Sequence, residues 1–474
     1  MRWSVAVILW LTSLLAFAQE GKLQADFRRE SERVAEACKG TGVKGIPGCS
    51  IELFTDHPLH IAAGSMSPQN GFALGAAFVA GQNTKNWRMT WDVDAVGSVN
   101  GSFRAGGYMK MIHTPPENIH VLTPVPSGTG TTGSASGTKP PSFIHPNTVL
   151  NLYAQAISLN KLYYFGLGND STLAGQSVFG MTQTIVGVNA IKPVYEWKAI
   201  RGLNLALLGE LNGRFVSVRG NHGESQPSIG ALYTEATAPG LSSQPSMAQF
   251  GEGVRINPKF GARFQLNYQG SFQQFAASSD SRHSFLRWTT DFNHTFYLYG
   301  YTKSGMVNTD VHGPDECAPL SEKCPPVSHS RNLNGSIGFR VLLSESSTSS
   351  INTVPFYFQP TLGGSDINGA MALPSYQDYR FRAPNVFLLR ETFEHSIWGP
   401  FGFSFLADQG KVAVARSDID FDNLRDSFAA GLTLRAGGFP MVSLMFAWGG
   451  SEGHHNIFNM NSSLLGGSAR PSLF

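Results

Sequence analysis

Apolar and polar residues alternate one for one along residues 87–95. Trp87, Met89, Trp91, Val93 and Ala95 interleave with Arg88, Thr90, Asp92 and Asp94. Successive side chains of a strand point to opposite faces, so this stretch predicts a strand with one greasy face and one charged face. The pattern recurs. Phe264, Leu266, Tyr268 and Phe272 oppose Arg263, Gln265, Asn267, Gln269 and Gln273, and Trp288, Thr290, Phe292, Phe296 and Leu298 oppose Arg287, Asp291, Asn293 and Thr295. Leu203, Leu205, Leu207 and Leu211 oppose Asn204, Glu210, Asn212 and Arg214. Near the end, Phe428, Ala430, Leu432 and Leu434 oppose Thr433 and Arg435, and Val442, Leu444, Phe446 and Trp448 oppose Ser443 and Ala447. A secreted sandwich or propeller alternates in the same way. Two features favour lipid. The apolar faces are dense in Trp, Phe and Leu over about 9–11 residues, the length that crosses a bilayer when tilted. The opposite faces carry charge at mid-strand, as a wet lumen permits.

Composition agrees. The chain of 474 residues holds 52 Gly and 33 Phe, only 14% of it is charged, and its net charge is +2. That balance gives no electrostatic case for nucleic acid. Aromatic girdles and a Gly-, Ser- and Asn-rich lumen are what a membrane barrel uses. No segment beyond the N-terminus could span as a helix, so a membrane role after export requires a barrel. The expected fold class is all-β: an antiparallel transmembrane β-barrel of about 16 strands with a short N-terminal helical segment. Strands are expected near 59–66, 71–81, 87–99, 102–112, 147–158, 177–191, 202–218, 247–257, 261–275, 284–299, 332–345, 385–395, 401–408, 425–436, 440–448 and 455–465. Asn100-Gly101 marks a hairpin between two of them.

The domain organisation follows. Residues 1–18 form a secretory signal peptide: Arg2 supplies the positive region, 5–15 the apolar core, and Ala16-Phe17-Ala18 the small-x-small cleavage site. Residues 19–58 are a short periplasmic head, in which Leu23, Phe27, Val34 and Cys38 repeat at helical spacing. Residues 59–465 are the barrel, including a lumen loop over 346–382, and 466–474 are a tail that tucks into the lumen or caps the seam. Pro471 argues against a regular last strand there. Three low-complexity inserts interrupt the strands at 115–146, 220–244 and 304–330. Counting directions from a periplasmic N-terminus puts the middle insert outside and the other two on the periplasmic side. The four cysteines fall in two local pairs, Cys38 with Cys49 and Cys317 with Cys324. An exported chain meets an oxidising compartment, so both pairs are expected as disulfides. Their spacing does not suit a zinc site, and no metal is expected.

The stretch 361–412 is the most specific. It opens on Leu362-Gly363-Gly364-Ser365-Asp366, runs through a loop, and reaches Asp378-Tyr379-Arg380-Phe381-Arg382. Phe387-Leu388-Leu389-Arg390-Glu391 follows, then 405–412, FLADQGKV. These motifs resemble the sixth extracellular loop and the next two strands of the BamA/TamA (bacterial surface antigen) superfamily of outer-membrane barrels. The stretch 163–171, YYFGLGNDS, and the short loops at 67–70 and Asn100-Gly101 are also similar. The resemblance implies a barrel that inserts or translocates proteins, with a loop held in the lumen by an arginine paired to acidic groups of the wall. Two departures stand out. The family's Leu/Val-Arg-Gly-Tyr/Phe tetrad is matched only by Leu373-Pro374-Ser375-Tyr376, without its arginine and glycine. The head of about forty residues has no room for the periplasmic POTRA domains of that family, nor for a patatin-like domain. In the missing arginine's place, Arg380 or Arg382 is expected to pair with Glu391 or Asp408, because a guanidinium between carboxylates in a confined lumen makes bidentate bonds. The alternative is that these are ordinary lumen or mouth charges. Gly363 and Gly364 open the loop, and Tyr376 stands at the tetrad's aromatic position.

Enzymatic chemistry is not expected. His294 falls on the face assigned to lipid, where a lone histidine is a girdle residue rather than a base. His454-His455 lacks a third ligand, and the Gly-rich run 128–137 lacks the ending of a phosphate loop. No cofactor is expected. The expectation is a bacterial outer-membrane barrel, exported with its signal peptide cleaved, with a role in protein insertion or translocation. A porin-like channel for small solutes and a non-transporting surface antigen are the alternatives. Expected partners are outer-membrane lipid and lipopolysaccharide, and client proteins or a separate periplasmic subunit.

Overall fold

The computed structural model describes residues 58–113, 147–197, 203–260 except 222, 263–307, 327–398, 401–436, 439–460 and 471–473, together with Arg28, Ser31, Glu32 and Ala35. Those last four are helical, and Arg28 meets Glu32 one turn on at 3.9 Å, in keeping with the helix expected in the head. All four cysteines lie outside the described residues, as do the signal peptide and most of the first and third inserts.

Sixteen long strands run in chain order among the described residues. They are β1 (Leu59–Ser65), β2 (Phe72–Asn83), β3 (Trp87–Ser98), β4 (Phe103–His113), β5 (Val149–Tyr164), β6 (Ser177–Trp197), β7 (Leu203–Arg219) and β8 (Met247–Ile256). Then come β9 (Phe264–Ala277), β10 (Phe285–Val307), β11 (Val327–Ser347), β12 (Asn385–Trp398), β13 (Phe401–Ala413), β14 (Arg425–Ala436), β15 (Phe439–Trp448) and β16 (His455–Met460). Each pairs antiparallel with the next. A two-residue piece, Lys259–Phe260, also pairs with β9. The terminal strands β1 and β16 approach each other. No helix among the described residues is long and apolar enough to cross a membrane.

The alternation has the two faces it implied. Trp91, Val93, Leu207, Trp288, Phe296, Leu432 and Leu444 are exposed on the outside. Inside, Asp94, Arg104, Asn189, Glu210, Asn212, Gln249 and Gln273 are buried. Buried charge is tolerated where it is paired, and Arg104 meets Asp94 at 2.6 Å across β3 and β4. His294 sits in the outer belt as expected: it bonds the Tyr268 hydroxyl at 2.8 Å and packs near Phe264 and Phe339.

Several strands outrun their expected ends. β10 and β11 continue pairing through Gly300–Val307 and Val327–Asn334. The sequence there, GYTKSGMV, has no apolar alternation. Hairpin pairing satisfies backbone groups and needs no greasy face, so periodicity could not reveal this extension. Strand direction sends the connections β4–β5 and β10–β11 out of one mouth. The β7–β8 connection and the long β11–β12 loop leave by the other. That loop occupies the interior of its mouth. Tyr164, Phe165, Phe179, Phe356 and Tyr379 form one buried cluster there, with Tyr164 and Phe179 at 5.3 and 5.2 Å from the Phe356 ring.

Candidate functional site: a loop clamped inside the barrel

Residues 361–382 form a small hairpin with its own two-stranded ladder, Thr361–Leu362 against Phe381–Arg382. It closes through glycine. Gly363 has φ +97° and Gly364 φ +58°, and a Cβ at Gly363 would come within 2.4 Å of the Arg380 Cβ. At Gly364 a Cβ would meet the Asp378 carboxylate oxygen at 2.4 Å and its Cα at 2.7 Å. Gly363 and Gly364 donate to the Ala372 and Leu373 carbonyls at 3.1 and 3.2 Å, and Ala372 donates back to Gly364 at 2.8 Å. Only glycine lets the two limbs pass this closely.

The wall holds the loop by its backbone. Arg390 on β12 and Asp408 on β13 are directly paired in register. The guanidinium gives two bonds of 2.8 Å to the carboxylate. The same carboxylate accepts the Leu373 N–H at 2.8 Å, and Arg390 donates to the Met371 carbonyl. Ser427 on β14 adds a third grip, its hydroxyl accepting the Ser375 N–H at 2.7 Å. Leu373 is fully buried and sits at φ +50°, a conformation that costs an ordinary residue roughly 1–2 kcal/mol. The clamp on its N–H helps to offset that strain. Tyr376, also buried, packs edge-on against Phe381 at 5.0 Å, and Gly450 leaves room for its hydroxyl.

The arginines expected to make the wall contact go elsewhere. Arg380 pairs with Glu452, in the β15–β16 turn, at 2.6 Å. It also gives bonds of 2.8 and 2.6 Å to the Ser171 hydroxyl and carbonyl, and stacks over Phe381 at 4.6 Å. Arg382 meets no carboxylate among the described residues. It donates to the Phe356 carbonyl at 2.6 Å and lies about 6 Å from the Tyr164 and Phe356 rings. Complete burial pushes its guanidinium down to about 10. Glu391 is exposed on the outer face, in the same cross-strand row as Phe339 and Ala407. The reason is parity. Arg390 and Glu391 are adjacent, so only one can point inward, and register gives that place to Arg390. The expected pairing of Arg380 or Arg382 with Glu391 or Asp408 is thus corrected: the acid of the wall is Asp408, and the arginine is the wall's own.

The three other stretches that carried the resemblance converge on this loop. Gln69 donates to Asp378 at 2.7 Å, and Tyr379 to the Pro68 carbonyl at 3.3 Å. Gly168 donates to the Arg382 carbonyl at 2.8 Å. Asn70 collects Ser102, Asn160 and Lys161 around one amide oxygen, tying the first turn to the Asn100-Gly101 hairpin. The loop therefore touches turns from both ends of the sheet, at Gln69 and at Glu452, and the β5–β6 connection at Gly168, so the sheet wraps around it. Burial pushes the Asp378 carboxyl above its ordinary value.

Below the loop lies a cavity of about 530 Å³, lined in part by Arg214, Arg287, Asp291 and Arg340. Arg340 and Asp291 pair at 2.8 Å. Residues 471–473, the described part of the expected tail, line it too. Arg390, Ser171, Glu452 and Glu210 were missed as site residues. Arg390 was legible only as a charge on the opposite parity from Glu391, Glu210 only as one of the polar residues of its strand, and Ser171 only as the end of the stretch 163–171, while nothing local marks Glu452.

A sixteen-stranded antiparallel sheet, apolar outside and polar inside, wrapped around its own clamped loop, defines a β-barrel of the transmembrane class. Among solved structures the chain is similar to CdiB from Acinetobacter baumannii, at 10% identity and a TM-score of 0.46, over 84% of this chain and 58% of that one. CdiB from Escherichia coli matches at 12% identity and 0.47, over 86% and 61%. BamA from Haemophilus ducreyi lacking POTRA domains 1–3 matches at 10% and 0.42, over 85% and 68%. The chain thus spans about three fifths of the length of the two CdiB structures. No protein-family model matches the chain, and no curated protein does.

Proposed function

We propose that this chain is a bacterial outer-membrane barrel of the BamA/TamA-like type that takes part in inserting or translocating proteins, with no enzymatic chemistry of its own. It is exported behind a cleaved signal peptide and meets lipid and lipopolysaccharide with its aromatic outer face. Its clients are unfolded proteins, delivered directly or by a separate periplasmic subunit. The observation that carries this reading is the clamp of Arg390 and Asp408 on the backbone of residues 371–373. A loop held inside a lumen by a few hydrogen bonds is a plug that releases without any break in the wall. The test is reconstitution into lipid vesicles with an unfolded outer-membrane barrel as client. Client insertion faster than in empty vesicles, followed by heat-modifiable gel migration, supports the reading; equal rates in the two overturn it.

The charge-lined cavity favours a second reading, a conduit for small solutes. Planar-bilayer conductance that rises when residues 361–382 are deleted, with no effect on client insertion, would select it.

A further inference from the structure

The proposed function gives no task to Glu210, a buried carboxylate midway along β7. Its two oxygens do different work. Oε1 accepts from the side-chain amides of Gln249 and Gln273, on β8 and β9. Oε2 accepts the Ser472 hydroxyl at 2.8 Å and the Leu473 N–H at 2.9 Å. One oxygen belongs to the wall and the other to the tail. Next to it, on β6, Asn189 donates to the Pro471 carbonyl at 2.8 Å, while its own oxygen accepts from Asn151 at 2.7 Å. The wall amides are held in turn: Asn212 donates to Gln249, and Tyr153 donates to Asn212 at 2.6 Å. The site is therefore built before the tail arrives. A buried charged oxygen without donors is costly, so Oε2 calls for an N–H and an O–H from some partner.

The three groups read are a carbonyl, then a side-chain hydroxyl, then an N–H, on consecutive residues. Two of them are main-chain groups that every peptide carries, and the third needs only serine or threonine. The cavity runs up to this segment, since Pro471, Ser472 and Leu473 are among its lining residues. We propose that Glu210 and Asn189 form a binding site inside the lumen for an extended peptide segment bearing a Ser or Thr. The chain's own residues 471–473 fill it in cis, and a peptide supplied in trans competes for it. This goes beyond the translocation reading and does not depend on it, because a lumen that never passes a client still binds the peptide.

The experiment uses the full-length protein in detergent and a fluorescent peptide of residues 466–474, GGSARPSLF, with binding read by anisotropy. Ser472→Asp sets two carboxylates against each other and ejects the cis tail without altering the wall. The expected result is peptide binding about tenfold tighter to Ser472→Asp than to the unmodified chain, the scale of one charge-assisted hydrogen bond. Binding is lost when Glu210→Ala is added, and it weakens when the peptide's serine at the Ser472 position is replaced by alanine. Equal affinity for Ser472→Asp and the unmodified chain overturns the proposal, as does affinity indifferent to Glu210→Ala. If Glu210→Ala prevents folding, judged by heat-modifiable migration, Asn189→Ala in the Ser472→Asp background takes its place and must weaken binding. Failure of client insertion with intact peptide binding would remove the translocation reading alone.

Discussion

Arg390 and Asp408 stand opposite each other on β12 and β13, and the carboxylate that takes the guanidinium also takes the Leu373 N–H. Asp408 is fully buried, so its charge is sustained only by these donors. Asp408→Asn therefore leaves Arg390 facing a neutral partner. We expect a loss of roughly 3 kcal/mol, the scale for breaking a buried pair. It should appear as a lower midpoint of heat-modifiable migration, and as faster proteolysis of the loop. Replacing both residues by apolar ones should destabilise less than Asp408→Asn alone, because no charge is stranded.

Arg380 and Arg382 should separate in their effects. Arg380 joins the loop to two neighbouring turns through Glu452 and Ser171. Arg380→Met should release the loop and leave the Glu452 carboxylate without its guanidinium. Arg382→Met removes a buried cation that faces no carboxylate among the described residues, and costs about 1 kcal/mol for the orphaned Phe356 carbonyl. Loop proteolysis rates should therefore rank Arg380→Met well above Arg382→Met. The reverse order would contradict the ion-pair assignment.

Glycine substitutions test the loop's closure. Gly363→Ala and Gly364→Ala drive a methyl into Arg380 and Asp378. Gly369, at φ +79°, has open space where a Cβ would go. Gly369→Ala should cost only the conformational penalty, about 1 kcal/mol. The other two should cost clearly more, read as thermal midpoints on the folded barrel.

The loop should tighten in acid at one point. Burial raises the Asp378 carboxyl above its usual value. In the unfolded chain the group ionises first as pH rises. Its contribution to stability is thus full below the ordinary carboxylate value and is lost as pH climbs through the raised value. Asp378→Asn should flatten this dependence, so the difference in loop proteolysis between the two proteins should shrink as pH falls from 7 towards 4.

Glu391 gives a control. It points outward, away from the loop. Glu391→Gln should leave loop proteolysis and conductance unchanged, whereas any change in them would mean that this carboxylate reaches the lumen.

The strands were legible because lipid on one side and a wet lumen on the other force a two-residue period, visible at Trp87, Met89 and Trp91. Their partners and lengths were less so. The polar hairpin arms at Gly300–Val307 and Val327–Asn334 are held by backbone bonds that any sequence can make. The loop's frame was legible at Gly363 and Gly364, where closure forbids a side chain. The clamp was misassigned because Arg390 and Glu391 are neighbours and only register decides which one enters the lumen. Arg380 and Glu452 lie 72 positions apart, and nothing local announces their meeting.

The tail's contact with β7 also sets an order of events. Ser472 and Glu210 are 262 positions apart, and every strand from β8 to β16 lies between them in the chain. Residues 471–473 meet that carboxylate on the face of the sheet that lines the cavity. Docking of residues 471–473 thus ties β7 to a segment that follows β16 in the chain: barrels caught with their edges still apart should lose this segment to a protease, and finished ones should keep it.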